Sequence, residues 1–345
     1  MDSRKIVLIL VVISSMFMNM SLLAGSYEKY YGIYALPTKG KVYKEVFEKP
    51  FVKGVSIRIS WEVLEPEEGR FEWEKLDKII AQARSYNKYV TIRIMTGVYS
   101  PKWIFEDEDI PKMEFISKNR NKKNFLGKTV VLPVLWDRNY LEKYFNFLKK
   151  LGERYGDDPN VFWIAVTGPA TGPATPHLPK SRSALEVFRE HGFTKEKWLN
   201  VWELAIDKTV EAFPDKLISL CIDVPRFYVD MAGELAAYAV SKYEGRICLQ
   251  SNGMSAKVLD AIDENPIFKD FFSIFMKYRE KAIIGFQMTW ASVWRDRGRD
   301  RLGPLDKAIE TALKFGAKYI EIYQDDIVVP ENEYMLAELE KKLNE

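Results

Sequence analysis

Two cysteines and two histidines are all that this 345-residue chain holds of either type, and the scarcity removes several chemistries at once. A structural zinc site draws about four Cys or His ligands from short spacings, and no such spacing is written here. No H-E-x-x-H pair, no G-x-S-x-G elbow and no phosphate-binding loop occurs either. After the first expected strand, Pro37-Thr38-Lys39-Gly40 is too poor in glycine for a dinucleotide turn. No cofactor and no metal is therefore expected. Cys221 and Cys248 both fall inside apolar strand-like runs, which predicts buried free thiols rather than a disulfide. The formal charge of +2 gives no basic excess of the kind that binds nucleic acid. Internal repeats and low-complexity linkers are also missing.

One long hydrophobic run is present. Asp2, Arg4 and Lys5 precede apolar residues from Ile6 to Leu23, followed by Ala24, Gly25 and Ser26. This reads as a secretory signal over residues 1–26 with cleavage near Ser26; the rival reading is an uncleaved anchor, since the run approaches the ~20 residues that span a bilayer. No Cys follows Gly25, which disfavours a lipoprotein. Either reading places residues 27–345 outside the cytoplasm, secreted or membrane-anchored, with membrane contact only through that segment.

Those residues alternate short apolar runs with amphipathic ones. Eight strands are predicted: Tyr31 to Pro37, Lys53 to Ser60, Tyr89 to Thr96, Val161 to Thr167, Leu217 to Asp223, Arg246 to Asn252, Ile283 to Thr289 and Tyr319 to Gln324. The clearest helix runs from Tyr140 to Tyr155, with Leu141, Tyr144, Phe145, Leu148, Leu151 and Tyr155 on one face. Another follows Thr194, a predicted N-cap, to Phe213. Eight such β–α units favour closure into one (β/α)8 barrel over an open doubly wound sheet. Two connections are long, Val98 to Asn139 and Gly168 to Phe193. They are the βα loops after strands three and four, and a barrel places them at its catalytic mouth.

Three stretches carry chemistry-bearing residues. In Val55 to Asp77, Val55, Ile57 and Ile59 alternate with Ser56, Arg58 and Ser60, so a charged side chain shares a strand with core residues and needs a partner. Trp61, an acidic turn and the helical spacing Trp73, Leu76, Ile80, Ala83 follow. The third loop contains Ser100-Pro101-Lys102-Trp103 and then Pro133-Val134-Leu135-Trp136-Asp137. Together these resemble the second β–α unit, the S/T-P-x-W and the P-x-x-W-D segments of clan A glycoside hydrolases, similar to family 42 β-galactosidases and family 5 enzymes. The resemblance covers about the first half of the barrel and implies a (β/α)8 fold, a poly- or oligosaccharide substrate, and catalytic Glu residues after strands four and seven.

Those Glu positions are not filled. The loop after strand four, Ala170 to Pro179, holds no acid, and Thr175, by its position relative to His177, occupies the place of the acid/base. On strand seven, Gln287 occupies the place of the nucleophile. Glycoside hydrolysis needs two carboxyl groups about 5–5.5 Å apart for retention or 6.5–9.5 Å for inversion. Asp325 and Asp223 at strand ends are the preferred pair, with Glu321 a third candidate; the bland readings are helix caps for the aspartates and a partner of Arg58 or Arg93 for Glu321. His177 is a candidate acid or donor at the mouth, whereas His191 reads as surface and Ser100 is only a loose nucleophile candidate. Nine Trp and eighteen Tyr supply flat rings for sugar faces, so the expected binding residues are Arg58, Trp61, Trp103, Trp136, His177, Asn252, Gln287, Trp290 and Tyr323, set against loop packing for Trp103 and Trp136. Arg295, Arg297, Arg299 and Arg301 with Lys118, Arg120, Lys122 and Lys123 suggest an anionic glycan, or a solvated loop whose charges cancel. The sequence thus predicts a glycoside hydrolase with a non-standard carboxylate pair, or alternatively a non-catalytic carbohydrate-binding barrel.

Overall fold

The computed structural model describes residues 27–344 except 39, 118–125, 172–174, 180, 224–227, 229 and 298–299; the expected signal segment and the third-loop residues Lys118, Arg120, Lys122 and Lys123 lie outside them. Among the described residues ten strands are present in chain order: β1 Gly32–Leu36, β2 Val52–Ser60, β3 Tyr89–Met95, β4 Lys112–Ile116, β5 Thr129–Pro133, β6 Val161–Ala165, β7 Leu217–Cys221, β8 Ile247–Met254, β9 Ile283–Met288 and β10 Ala317–Tyr323. Eight of them close in the order β1-β10-β9-β8-β7-β6-β3-β2, and every pair in the ring is parallel. The expected (β/α)8 barrel is therefore the fold, and each of the eight predicted strands is found within a residue or two of its predicted ends. The remaining pair, β4 and β5, forms an antiparallel hairpin in the third loop.

Strand sequence dictates which side faces which layer. In β2, Val55, Ile57 and Ile59 are buried toward the helices, so the alternation sends Ser56, Arg58 and Ser60 into the barrel. The helices are closed off by residues the sequence supplies for that purpose: Asp137 accepts from the Tyr140 amide to cap Arg138–Tyr155, and Thr194 accepts from the Lys197 amide to cap Lys195–Ala212. Each such cap is worth about 0.5–2 kcal/mol.

The barrel interior is layered. At the N-terminal end Tyr34, Trp163 and Tyr319 fill the bore without exposure, and the Trp163 indole donates to the Tyr34 hydroxyl at 3.0 Å. Above them the filling turns polar: Ser56, Thr91, Arg93, Ser219, Gln250 and Glu321 are all buried. Apolar plug below and polar bore above set the mouth at the C-terminal strand ends, where (β/α)8 enzymes carry their sites. Cys221 and Cys248 are free and buried, as their strand positions predict.

Candidate functional site

The polar bore is organised by one carboxylate. Glu321 is fully buried on β10, and its Oε1 accepts from Ser56 Oγ at 2.7 Å, Tyr319 Oη at 2.7 Å and the Arg93 guanidinium at 3.2 Å. Burial opposes its ionisation, but Arg93, Arg58 and the two hydroxyl donors outweigh that cost and hold the carboxyl below its ordinary range. Arg93, itself unexposed, also donates to Gln250 Oε1 at 3.1 Å and reaches Asn252 Oδ1 at 3.5 Å. Gln250 in turn accepts from Ser219 and donates to Asn252. Glu321 is thus the counter-charge of Arg93 beneath the mouth. Glu321 has no solvent-exposed surface and pairs with Arg93, which is the partner reading set beside catalysis above.

Gln287 lies one strand away on β9 and is 5% exposed. Arg58 donates to its Oε1. An amide oxygen accepts this bond as a carboxylate would, but an amide is not a nucleophile.

The fourth barrel strand's exit packs closely against the third loop. Gly168 has φ +128, and a Cβ there would sit 2.7 Å from the Tyr144 ring; Gly97, at φ +63, would place one 2.3 Å from the Ala170 carbonyl. The Gly168 carbonyl accepts from Thr96 Oγ1 and Tyr140 Oη. Loops three and four are therefore locked together at the rim. Thr175 is buried, and its carbonyl accepts from the His177 amide at 2.7 Å. That turn aims His177 at the end of the fifth barrel strand, where its Nε2 meets Asp223 Oδ2 at 2.9 Å with both side chains partly exposed. Two residues singled out separately in the sequence thus form one couple.

Three consecutive residues after β10 organise the other side. Gln324, fully buried, accepts from the Tyr43 amide and donates to Thr38 Oγ1 and the Lys41 carbonyl, which fixes the first loop. Asp326 accepts from the Ser292 amide, Ser292 Oγ and the Val293 amide, which fixes the seventh. Burial pushes the Asp326 carboxyl up, against those three hydrogen bonds. Asp325, between them and half-buried, accepts from Tyr43 Oη at 2.9 Å. It lines a cavity of about 500 Å³ with Lys41, Tyr43, Trp294 and Tyr323.

The expected sugar-stacking residues divide. Trp61 is unexposed, packed among Trp103, Tyr140, Tyr144 and Phe147, with its indole nitrogen donating to Glu65 at 2.7 Å. In this arrangement the ring is wholly taken up by core packing. Trp103 donates to the Glu65 carbonyl. Trp136 packs on Phe188, Phe193 and Trp198 and donates to the His191 carbonyl, so both rings serve the loop packing set against binding above. Trp290 and Tyr323 flank Trp294, at 4.9 and 4.8 Å between ring centroids, and Arg301 lies 4.8 Å above Trp290. His191 is exposed. The side chains of Arg295 and Arg297, and all of Arg299, lie outside the described residues. Sequence reasoning passed over Tyr43, Gln324 and Trp294; only the Gln-Asp-Asp run at a strand end was available as a signal.

Residues 42–197, a little under half of the chain, match the model of the family described as Beta-galactosidase, glycoside hydrolase family 42. The chain resembles the clan A glycoside hydrolases. Beta-galactosidase LacA of Lactobacillus acidophilus is 30% identical over 124 residues, 34% of this chain and 17% of that protein. Endo-1,4-beta-xylanase A of Halalkalibacterium halodurans is 34% identical over 100 residues, 28% of this chain and 22% of that protein. The matches therefore span less than a quarter of the length of these curated relatives. Among solved structures, the beta-galactosidase from Bacillus circulans sp. alkalophilus superposes with a TM-score of 0.57 at 11% identity, covering 91% of this chain and 56% of that one. The endo-1,4-beta-xylanase from Caldicellulosiruptor owensensis gives 0.52 at 13%, covering 87% of each. Both show the shared fold.

Proposed function

We propose that this protein is a carbohydrate-active barrel of glycoside-hydrolase descent, exported by its N-terminal apolar segment, that hydrolyses a poly- or oligosaccharide at its C-terminal mouth. The observation that carries the reading is the His177–Asp223 couple at the rim, 2.9 Å apart, because it supplies an orientable proton donor and acceptor where strand four brings no Glu. In the neutral couple the His177 Nε2–H is held by Asp223; as the imidazolium, stabilised by Asp223, the ring gives its proton to the leaving glycosidic oxygen while water adds to the anomeric carbon and passes its proton to a second mouth carboxylate, for which Asp325 is the candidate. With Glu321 enclosed and Asp326 bound to the seventh loop, Asp223 and Asp325 remain the candidate pair, each with part of its surface open.

The arrangement also favours a second reading. Gln287 held by Arg58 is a binding arrangement without a nucleophile, and a barrel that only binds sugar would keep it. Release of reducing ends from neutral β-linked oligosaccharides, measured for the full chain and for His177→Ala and Asp223→Asn, separates the two. Turnover that falls at least 100-fold in both variants supports hydrolysis through the couple. Saturable binding with no turnover in the unaltered chain supports the binding reading, and neither binding nor turnover overturns both.

A further inference from the structure

Across the eight barrel strands the only acidic residue is Glu321, whereas two arginines, Arg58 and Arg93, face the bore. They lie side by side, in register on β2 and β3. Glu321 accepts from Arg93 at 3.2 Å, and against its burial the carboxyl is held low by Arg93 and Arg58 together. One negative charge thus serves two positive ones. The bore residues that border the pair toward the mouth are amides, Gln250 and Asn252 on β8 and Gln287 on β9, and an amide accepts a hydrogen bond without cancelling a charge. Among the described residues the upper bore therefore carries one uncompensated positive charge. It falls to Arg58, because Arg93 is fully enclosed and bonded to Glu321.

Arg58 is half-buried near the mouth end of β2. Its Nη2 donates to Gln287 Oε1, its Nε is enclosed without an acceptor, and no described residue accepts from Nη1. The acids of the rim are engaged elsewhere: Asp223 with His177, Asp325 with Tyr43, and Asp326 with the seventh loop. Asn252 adds a further donor. Its Oδ1 accepts from Arg93 and Gln250, which leaves its Nδ2 hydrogens without a described acceptor. The charged loop residues whose side chains lie outside the described set are all basic except Asp296, which Arg295 and Arg297 flank in sequence. A guanidinium fork with open donors, next to a second amide donor, matches the two oxygens of a carboxylate, and a half-buried charge without a counter-ion favours a ligand that brings one.

We infer that Arg58, Asn252 and the Gln287 amide form an anion site at the floor of the mouth, whose ligand supplies the carboxylate that position 287 lacks. That carboxylate is borne by a sugar or is a free small anion; the sugar-borne form rests on the carbohydrate reading above, and the free form does not. Calorimetric titration of the full chain at pH 7 and constant ionic strength, with digalacturonate, formate and lactose, tests it. Both carboxylates bind. Gln287→Glu places the counter-charge beside Arg58 without removing a side chain, so it weakens each carboxylate at least fivefold, keeps or raises the melting temperature, and leaves lactose no weaker. Arg138→Gln, which removes one positive charge from an exposed helix, and Asp296→Asn leave the carboxylate affinities within threefold. Digalacturonate bound at least tenfold more tightly than formate supports the sugar-borne form, and a smaller difference supports the free anion. A loss below fivefold in Gln287→Glu, an equal loss for lactose, or carboxylate binding that appears only in Asp296→Asn overturns the site. Lactose bound with both carboxylates refused overturns the site and leaves the carbohydrate reading in place. Formate bound with both sugars refused supports the site and counts against the carbohydrate reading, and refusal of all three overturns the site.

Discussion

Removing the Glu321 carboxylate should destabilise the barrel more than any rim substitution. Arg93 has no exposed surface and Glu321 has none, so Glu321→Ala leaves a buried guanidinium without its counter-charge and frees the Ser56 and Tyr319 hydroxyls. Breaking one side of a buried pair costs about 3–5 kcal/mol. At roughly 2–4 °C per kcal/mol for a domain of this order of size, the melting temperature falls by about 6–20 °C. Glu321→Gln keeps an acceptor for the hydroxyls and loses only the charge, so its loss should be about half, given that hydrogen bonds to charged groups are worth ~1.5–3 kcal/mol against ~1 for neutral ones. The pH dependence carries a second signature. The folded-state carboxyl is held below its ordinary range, so it contributes stability above the unfolded-state value, and that contribution disappears as pH falls through the lower folded value. Chemical denaturation of the wild type and Glu321→Gln from pH 7 down to the acid limit should show their difference shrinking toward acid. Equal stability at pH 7 with parallel acid limbs would refute the structural assignment. A Glu321→Gln protein of native stability that had lost turnover would return Glu321 to the catalytic machinery.

Other consequences follow from the same packing. Trp61→Ala should cost about 3–5 kcal/mol, as large core truncations do, with sugar affinity per folded molecule unchanged; thermal melts with calorimetry check both, and a stable variant that has lost affinity would restore Trp61 to the site. Gln287→Leu leaves the Arg58 fork without its acceptor, at a cost of about 1.5–3 kcal/mol, whereas Gln287→Glu gives the fork a carboxylate and should hold or raise stability at pH 7; denaturant midpoints that rank the two the other way contradict the Arg58–Gln287 arrangement. Gly168→Ala combines a positive φ with a Cβ 2.7 Å from Tyr144, so it should unlock loops three and four and lower the melting temperature by several degrees, while an unchanged melt would show that the rim is not sealed there.

The barrel was legible because its signals are local and repeated. Alternation in Val55 to Ser60 and the spacing of Leu141, Tyr144, Leu148 and Leu151 report burial directly, and Thr194 announces the helix it caps. The hairpin of β4 and β5 escaped because it lies within a stretch read only as a long loop. The mouth was less legible because contact across a barrel joins residues far apart in sequence. Ser56 and Glu321 are separated by 265 positions, and nothing in either segment tells a buried counter-charge from a catalytic acid. Trp61 was ambiguous for a related reason: a tryptophan after a strand reads the same whether it faces the bore or the helix layer. Spacing carried His177 and Asp223 onto separate lists of candidates, and only the closed ring shows them touching.

Because the proposed chemistry turns on that couple, the deciding measurement is reducing-end release from neutral β-linked oligosaccharides by the wild type and Asp223→Asn, with calorimetric affinity for the same sugars measured on both. The account predicts turnover in the wild type, at least a 100-fold fall in kcat in Asp223→Asn, and affinity retained within threefold. Undiminished turnover in Asp223→Asn would contradict it, as would a wild type that neither binds nor cleaves any of these sugars.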